Sequence, residues 1–383
     1  MTQCRFEHPW LLFLLPFAGL GIGLLYHHWG KSSEGGNNLI LEQIHEPGGG
    51  VPRRMAPLIL FATLVTHLFG GSVGREGTAV QMGGSMASAW GKILKLHPQQ
   101  MRVLLICGVA AGFGSVFGTP LAGALFAVEV LTSGLKIESA HYRALLPALL
   151  AALVGDWSCR AWGITHTLYQ LDYLPKDLSC FHFLTPFLLI KVALIGIAAG
   201  LVGRLFVKTE HTLNRFFNKI SPCAPLRPFI GGFIIIALVY CVGTREYLGL
   251  GDYSPNSNDL TLMTLFTSSS IHYGAWAWKL LFTAVTLASG FKGGEVTPLF
   301  FIGAALGNAL AGLLGGPTDL FAALGFVAIF AGASNTPLAC TLMGIELFGL
   351  AYGIPITAAC FLAYLCSSHS GIYPAQRVSA SKK

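Results

Sequence analysis

Residues 71–84 read GSVGREGTAVQMGG, an adjacent arginine and glutamate, Arg75 and Glu76, set among glycines between apolar runs. A carboxylate in that setting has little neighbouring side chain to offset its burial, so its presence asks for a chemical reason. Residues 293–300, GGEVTPLF, carry the same elements later in the chain. Glu295 and Thr297 match Glu76 and Thr78, since 295 − 76 and 297 − 78 both give 219. Farther on, AGFGSVFGTPLAGALFAVEVL (111–131) matches AIFAGASNTPLACTLMGIELF (328–348). Thr119-Pro120-Leu121-Ala122 then pairs with Thr336-Pro337-Leu338-Ala339 and Glu129 with Glu346, where 346 − 129 is 217. Several matches at a nearly constant offset define an internal repeat.

The medium around these motifs is apolar. Of 383 residues, 53% are hydrophobic and 11% charged, with mean hydropathy +0.63; soluble domains carry roughly 25% charged residues. The chain reads as an all-α polytopic membrane protein. Its formal charge of +7 comes from Lys and Arg scattered between apolar runs, which fits basic cytoplasmic loops and not a nucleic-acid surface. Residues 204–227 hold Arg204, Lys208, Arg215, Lys219 and Arg227 against one acid, Glu210, and are predicted to form a cytoplasmic loop. The nine cysteines show no CxxC and the histidines no paired spacing, so no metal or cofactor is expected and the cysteines read as small packing residues.

The N-terminus, MTQCRFEHPWLLFLLPFAGLGIGLLYHHW, has a basic residue ahead of an apolar run but no small-x-small cleavage site, and is predicted to be a retained membrane helix ending in an interfacial aromatic cluster. Further apolar segments fall near 57–70, 77–92, 102–117, 119–135, 144–158, 186–207, 229–242, 275–291, 297–314, 319–333, 337–350 and 355–368. Many are shorter than the ~20 residues of a full span and are interrupted by Gly or Pro. Such helices persist in a bilayer only against protein or beside a wet cavity. Most of the 47 glycines read as close helix packing.

Duplicated halves with interrupted helices place a substrate where the halves meet. Each matched stretch has a glycine turn followed by an apolar helix. A helix start presents unpaired N–H groups and about half a positive charge, so two starts aimed at one point form an anion site without a full basic charge. Glu76, in the first helical turn, is then itself an anion on that site, and protonation releases it. The competing structural reading is an Arg75–Glu76 ion pair; intramembrane acids are costly and usually functional.

At GREGT (74–78) the chain resembles the CLC family of chloride channels and proton-coupled anion transporters, and the resemblance runs through GGEVTPLF, both TPLA segments and Gly371-Ile372-Tyr373-Pro374. It implies two inverted-topology repeats with short, broken and re-entrant helices, in a homodimer with one pathway per subunit. It makes Glu76 the gating glutamate and Tyr373 a hydroxyl donor to the central anion. Departures from the common chloride pattern are Gly36-Asn37-Asn38-Leu39-Ile40, Thr78 after GREG, Glu295 and Thr297 in the second half, and Val130 where many exchangers have an inner acid. Together these resemble the bacterial branch that exchanges fluoride for protons across the inner membrane; the chloride-type channel or exchanger is the alternative. Fluoride is a compact, strong acceptor, and the Asn37 amide, Thr297 hydroxyl and Tyr373 phenol are compact donors. The anion site so implied comprises Asn37, Asn38, Gly74, Arg75, Gly77, Val296, Thr297 and Tyr373, with Glu76 and Glu295 as gating and proton-transfer groups. Glu295 has a structural alternative beside Thr297. Asn37 falls in a segment read as a polar loop, where Asn38 is an alternative donor. Lys292 reads first as a cation snorkelling to the interface, and Glu129 and Glu346, alike in both repeats, as structural.

The expected layout is a first repeat at 1–158, a polar junction at 159–185 that includes Pro175-Lys176-Asp177, and a second repeat at 186–383. Glu295 lies 295 − 186 = 109 residues beyond Pro186, whereas 75 residues precede Glu76. A helix or two of the first repeat is therefore expected to be missing. An intramembrane enzyme is disfavoured for want of a Ser-His or paired-aspartate arrangement. Nucleotide binding is disfavoured because neither glycine turn follows a strand or carries the phosphate-loop lysine.

Overall fold

The computed structural model describes residues 1–46, 48–133, 142–167, 169, 171–173, 185–256, 259–267, 273–367 and 369–378. Pro175, Lys176 and Asp177 of the expected junction, and Cys180, lie outside them. The protein is an all-α membrane fold. Its helices are α1 (Thr2–Glu7), α2 (Leu15–Leu25), α3 (Gly36–His45), α4 (Met55–Phe69), α5 (Glu76–Ile93), α6 (Pro98–Phe117), α7 (Pro120–Glu129) and α8 (Leu145–Ala161). They continue with α9 (Pro186–Ile220), α10 (Leu226–Val242), α11 (Ala275–Ala288), α12 (Val296–Leu314), α13 (Thr318–Ser334), α14 (Pro337–Phe348) and α15 (Gly353–Cys366). The helical stretches Pro9–His45, Pro98–Phe117, Pro186–Ile220 and Val296–Leu314 are long and apolar enough to cross a membrane; the shorter apolar helices include Met55–Phe69, Ala275–Ala288 and Thr318–Ser334. A two-residue parallel ladder, Thr132–Ser133 with Arg377–Val378, ties the end of α7 to the C-terminal segment.

The repeat is visible as packing. Helices α4, α5, α6 and α7 correspond in order to α11, α12, α13 and α14. In each half, the helix that follows the glutamate turn packs on the next one through glycines. A Cβ on Gly83 would run into the Gly108 carbonyl between α5 and α6, and one on Gly303 into the Gly325 carbonyl between α12 and α13. No other side chain permits these crossings. Proline at the first turn and threonine at the N-cap start both α7 and α14.

Three local expectations are corrected. Residues 204–220 are not loop: α9 runs unbroken to Ile220. Its Arg204, Lys208, Arg215 and Lys219 are exposed while Val207 and Phe217 are buried, an amphipathic continuation that propensity alone does not end. Asn37 and Asn38 are not loop residues but the second and third residues of α3, whose core face is Ile40, Leu41 and Ile44. The N-terminal run is not one helix; it is α1, a 3-10 turn, α2 and a π turn at Tyr26–Gly30, broken at Pro9 and Pro16.

Candidate functional site

The two glycine elbows meet. The Gly74 N–H donates to the Gly294 carbonyl at 2.6 Å and the Gly294 N–H to the Gly74 carbonyl at 2.7 Å, an isolated antiparallel bridge between the repeats. From this crossing α5 and α12 depart with their N-termini at the shared point. A Cβ on Gly74 would meet the Glu76 carboxylate and lie 3.0 Å from the Gly294 carbonyl oxygen, so this approach requires glycine.

Glu76 crosses to the other repeat. Its side chain is 2% exposed. Oε2 accepts the backbone N–H of Thr297 at 3.2 Å and that of Arg75 at 3.0 Å, and the Thr297 hydroxyl donates to Oε1. The carboxylate thus occupies the N-terminal end of α12, where orphan N–H groups and the helix dipole favour negative charge. Arg75 contributes its backbone more than its charge. Its guanidinium Nε lies 4.0 Å from Glu76 Oε1 and its side chain is 62% exposed, so solvent screens the pairing.

Glu295, the N-cap residue of α12, leans toward the start of α5. A methyl on Gly77 would lie 3.1 Å from Asn37 Nδ2 and 3.8 Å from Glu295 Oε2. Among the described residues, Glu295 Oε2 and Asn37 Oδ1 are buried without a hydrogen-bond partner. Each repeat therefore sends a glutamate to the helix start of the other. Only the Glu76 exchange is hydrogen-bonded. Val296, the first residue of α12, is buried beside this point.

Two openings flank the crossing. A cavity of about 60 Å³ is bordered by Arg75, Glu76, Thr297, Phe117, Asp252 and Phe326, and a cleft of about 250 Å³ by Glu295, Asn37, Asn38, Tyr373, Lys292 and Glu210. The cleft lies on the side of the basic end of α9, which the positive-inside bias predicts to be the inner side and the opposite cavity the outer one. Tyr373 is buried, with its ring edge-on to Phe126 at 6.3 Å. Asn38 differs from Asn37: its Oδ1 accepts the Ala375 N–H at 3.2 Å and so holds the segment that follows Tyr373. Val130 is buried in a small apolar pocket with Tyr373, Val80 and Val109. Between the two openings runs an aromatic wall in which Phe300 stacks on Phe326 at 3.9 Å and Phe113 on Phe126 at 4.3 Å.

Sequence reading did not single out Lys279, although a lysine in an apolar run is itself a signal. It is fully buried, and its ammonium donates to the Tyr247 and Gly249 carbonyls at 3.0 and 2.7 Å. These bonds anchor the loop between α10 and α11, which supplies Leu250, Asp252 and Leu262 to the outer cavity. Buried Arg5 donates to the His67 carbonyl at 2.9 Å on the same side.

Comparison with known proteins adds an independent line. Residues 18–368 match the family model described as voltage gated chloride channel. The chain is 47% identical over 384 residues to a chloride/fluoride channel protein of Pseudomonas syringae pv. tomato, covering all of this chain and 81% of that protein. It is 28% identical to a putative chloride channel protein of Ralstonia nicotianae, over 94% of this chain and 83% of the other. Among solved structures, a CLC-type fluoride/proton antiporter superposes with a TM-score of 0.89 at 36% identity, over 99% of this chain and 91% of the other. A slow cyanobacterial Cl−/H+ antiporter, with a TM-score of 0.76 at 20% identity and coverage of 97% and 88%, shares the fold.

Proposed function

We propose, from the premise that this chain belongs to the voltage-gated chloride channel (CLC) family of channels and transporters, that it is an antiporter of the bacterial inner membrane exporting fluoride in exchange for protons. The observation that carries the proposal is the Glu76 carboxylate held by the Thr297 N–H and hydroxyl at the start of α12. That seat offers an anion compact donors and a helix dipole in a water-poor setting, where charge-assisted hydrogen bonds are strongest.

Ionised, Glu76 fills the seat and excludes fluoride. Protonated, it loses the charge that the α12 dipole and the Thr297 donors favour, and fluoride displaces it. The neutral side chain turns toward the outer cavity, which Glu76 already borders. The protonated side chain then re-enters the seat as the anion leaves outward, and there it gives up its proton toward the inner side, which restores the carboxylate. Glu295 takes the corresponding place on the inner side, beside the start of α5, where Asn37 and Tyr373 add an amide and a phenol to the anion's path. Val130 has no titratable group, so the end of α7 offers no proton site there.

The fluoride assignment draws on the names borne by the Pseudomonas relative and the antiporter of similar structure, and on the hydroxyl and carboxylate that replace apolar side chains at 297 and 295. Assembly as a homodimer, each subunit with its own pathway, belongs to the same reading. Reconstituted vesicles loaded with fluoride or chloride decide it: fluoride efflux accompanied by proton uptake, with chloride efflux much slower, is expected. Equal efflux of both anions returns the chloride-type exchanger, and fluoride efflux without proton movement a channel.

A further inference from the structure

The antiporter reading requires a route for the proton from Glu295 to the inner solution, and Val130 carries none. Two acids border the same cleft as Glu295 on elements outside the repeat crossing: Glu34 before α3, which is exposed, and, withdrawn from the surface, Glu210 on α9. It is the lone acid in the basic stretch 204–227, yet no hydrogen bond or ion pair among the described residues ties it to any of those cations. The helix explains why. Arg204, Lys208, Arg215 and Lys219 are exposed, whereas Glu210 is half-buried and borders the cleft with Asn214, one turn on. Asn218, a further turn on, donates to Asn214 Oδ1 at 2.8 Å and borders an adjoining cleft of about 210 Å³ with Arg227. Glu210, Asn214 and Asn218 thus form a polar stripe at i, i+4 and i+8 along a helix long enough to cross a membrane. That stripe starts opposite a buried carboxylate oxygen without a partner among the described residues, Glu295 Oε2.

We infer that Glu210 is the inner proton relay of this transporter, accepting the proton from Glu295 and releasing it to water along the Asn214–Asn218 face. The step rests on the antiporter reading and balances simply. The Glu295 O–H bond breaks, leaving its electron pair on Glu295; an O–H bond forms on Glu210, which then protonates water, and nothing is oxidised or reduced. The other titratable groups facing Glu210 across the cleft are Glu34 and Tyr26 before α3, Lys292 before α12, and Tyr373. Lys292 sits 4.4 Å over the Tyr26 ring, fixed between the two clefts.

The test uses the full chain in vesicles, with fluoride efflux read by electrode and proton uptake by a pH dye, and fluoride binding measured by calorimetry in detergent. Glu210→Gln is expected to cut proton uptake by at least about tenfold, a lower bound on the loss typical of removing an acid–base group, while fluoride still binds with wild-type affinity. Glu210→Asp is expected to restore most of the proton uptake and to change its dependence on inner pH. Proton uptake in Glu210→Gln within about twofold of wild type, far short of the loss expected on removing an acid–base group, overturns the relay. So does equal loss in the Gln and Asp variants, or loss of fluoride binding in both, which marks a packing role. Should Glu210→Gln fail to fold, Asn214→Leu, which dries the face beyond the relay, must still slow proton uptake while sparing fluoride binding, or the relay falls. A wild-type protein that moves fluoride without protons removes the antiporter reading, and the relay with it.

Discussion

Glu129 and Glu346 cap one another's repeats. The Glu129 carboxylate, at the end of α7, accepts the Leu338 and Ala339 N–H groups at 2.9 and 2.7 Å, at the start of α14. The Glu346 carboxylate, on α14, accepts the Leu121 and Ala122 N–H groups at 3.0 and 2.8 Å, at the start of α7. Both copies are needed because each satisfies helix-start donors that its own chain segment leaves orphaned. Replacing Glu129, 1% exposed, by Ala is expected to destabilise the protein by about 1–3 kcal/mol, since buried donors lose their acceptor. The less buried Glu346→Ala is expected to cost less. Thermal unfolding in detergent checks the order; a larger drop for Glu346 would refute it.

The Glu76 exchange is of the same geometric kind, and its consequence is chemical. Glu76→Gln keeps the volume but removes the charge that holds the side chain at the start of α12. Proton uptake is expected to fall to background while fluoride still binds. An unchanged proton-to-fluoride ratio in vesicles would count against gating by this residue.

Thr297 supplies two donors to the seat, and only one depends on its side chain. Thr297→Val retains shape and backbone N–H but loses the hydroxyl. A lost charge-assisted hydrogen bond of about 1.5–3 kcal/mol corresponds to fluoride movement slower by roughly 10- to 100-fold. Thr297→Ser is expected to recover most of that. Elution on size exclusion checks that assembly is intact, and a wild-type efflux rate in Thr297→Val would make the residue structural.

The neighbouring asparagines separate by partner. Asn37→Ala, which removes an amide beside Gly77 and Glu295, is expected to weaken fluoride binding with little change in stability. Asn38→Ala releases the Ala375 N–H and is expected to expose the C-terminal segment to protease first. The reverse pattern would exchange their roles.

Lys279→Met leaves the Tyr247 and Gly249 carbonyls without their donor, at about 1–3 kcal/mol for each buried group unsatisfied. Faster amide exchange across residues 245–256 is the expected signature, with altered entry at the outer cavity. Exchange unchanged from wild type would show that Arg5 and the remaining contacts hold the loop alone.

Much of this was legible before any coordinates. GREGT, GGEVT and the duplicated TPLA segments carry local turn and helix-start chemistry, and the offset between them announced two lobes sharing one centre. What stayed hidden depends on contacts between residues far apart in sequence. Nothing in residues 36–40 says that α3 begins there, because Gly and Asn favour turns and the core facing Ile40 and Leu41 decides otherwise. The charge run at 204–227 hid a helix, since charge reports solvent and not backbone. The side of α9 on which Glu210 falls shows only when its spacing from Asn214 is set against the cleft. The crossing of Glu129 and Glu346 was invisible for the same reason: each lies more than 200 residues from the amides it binds.

The paired amide bonds between Gly74 and Gly294 rivet the two lobes at the very place where the halves of a rocking carrier would have to part. On the proposed antiport, ions change sides by the turning of single carboxylates about a stationary hub. Covalent cross-links between the lobes away from Glu76, Glu295 and Glu210 should leave turnover intact, where a rocking carrier would stall.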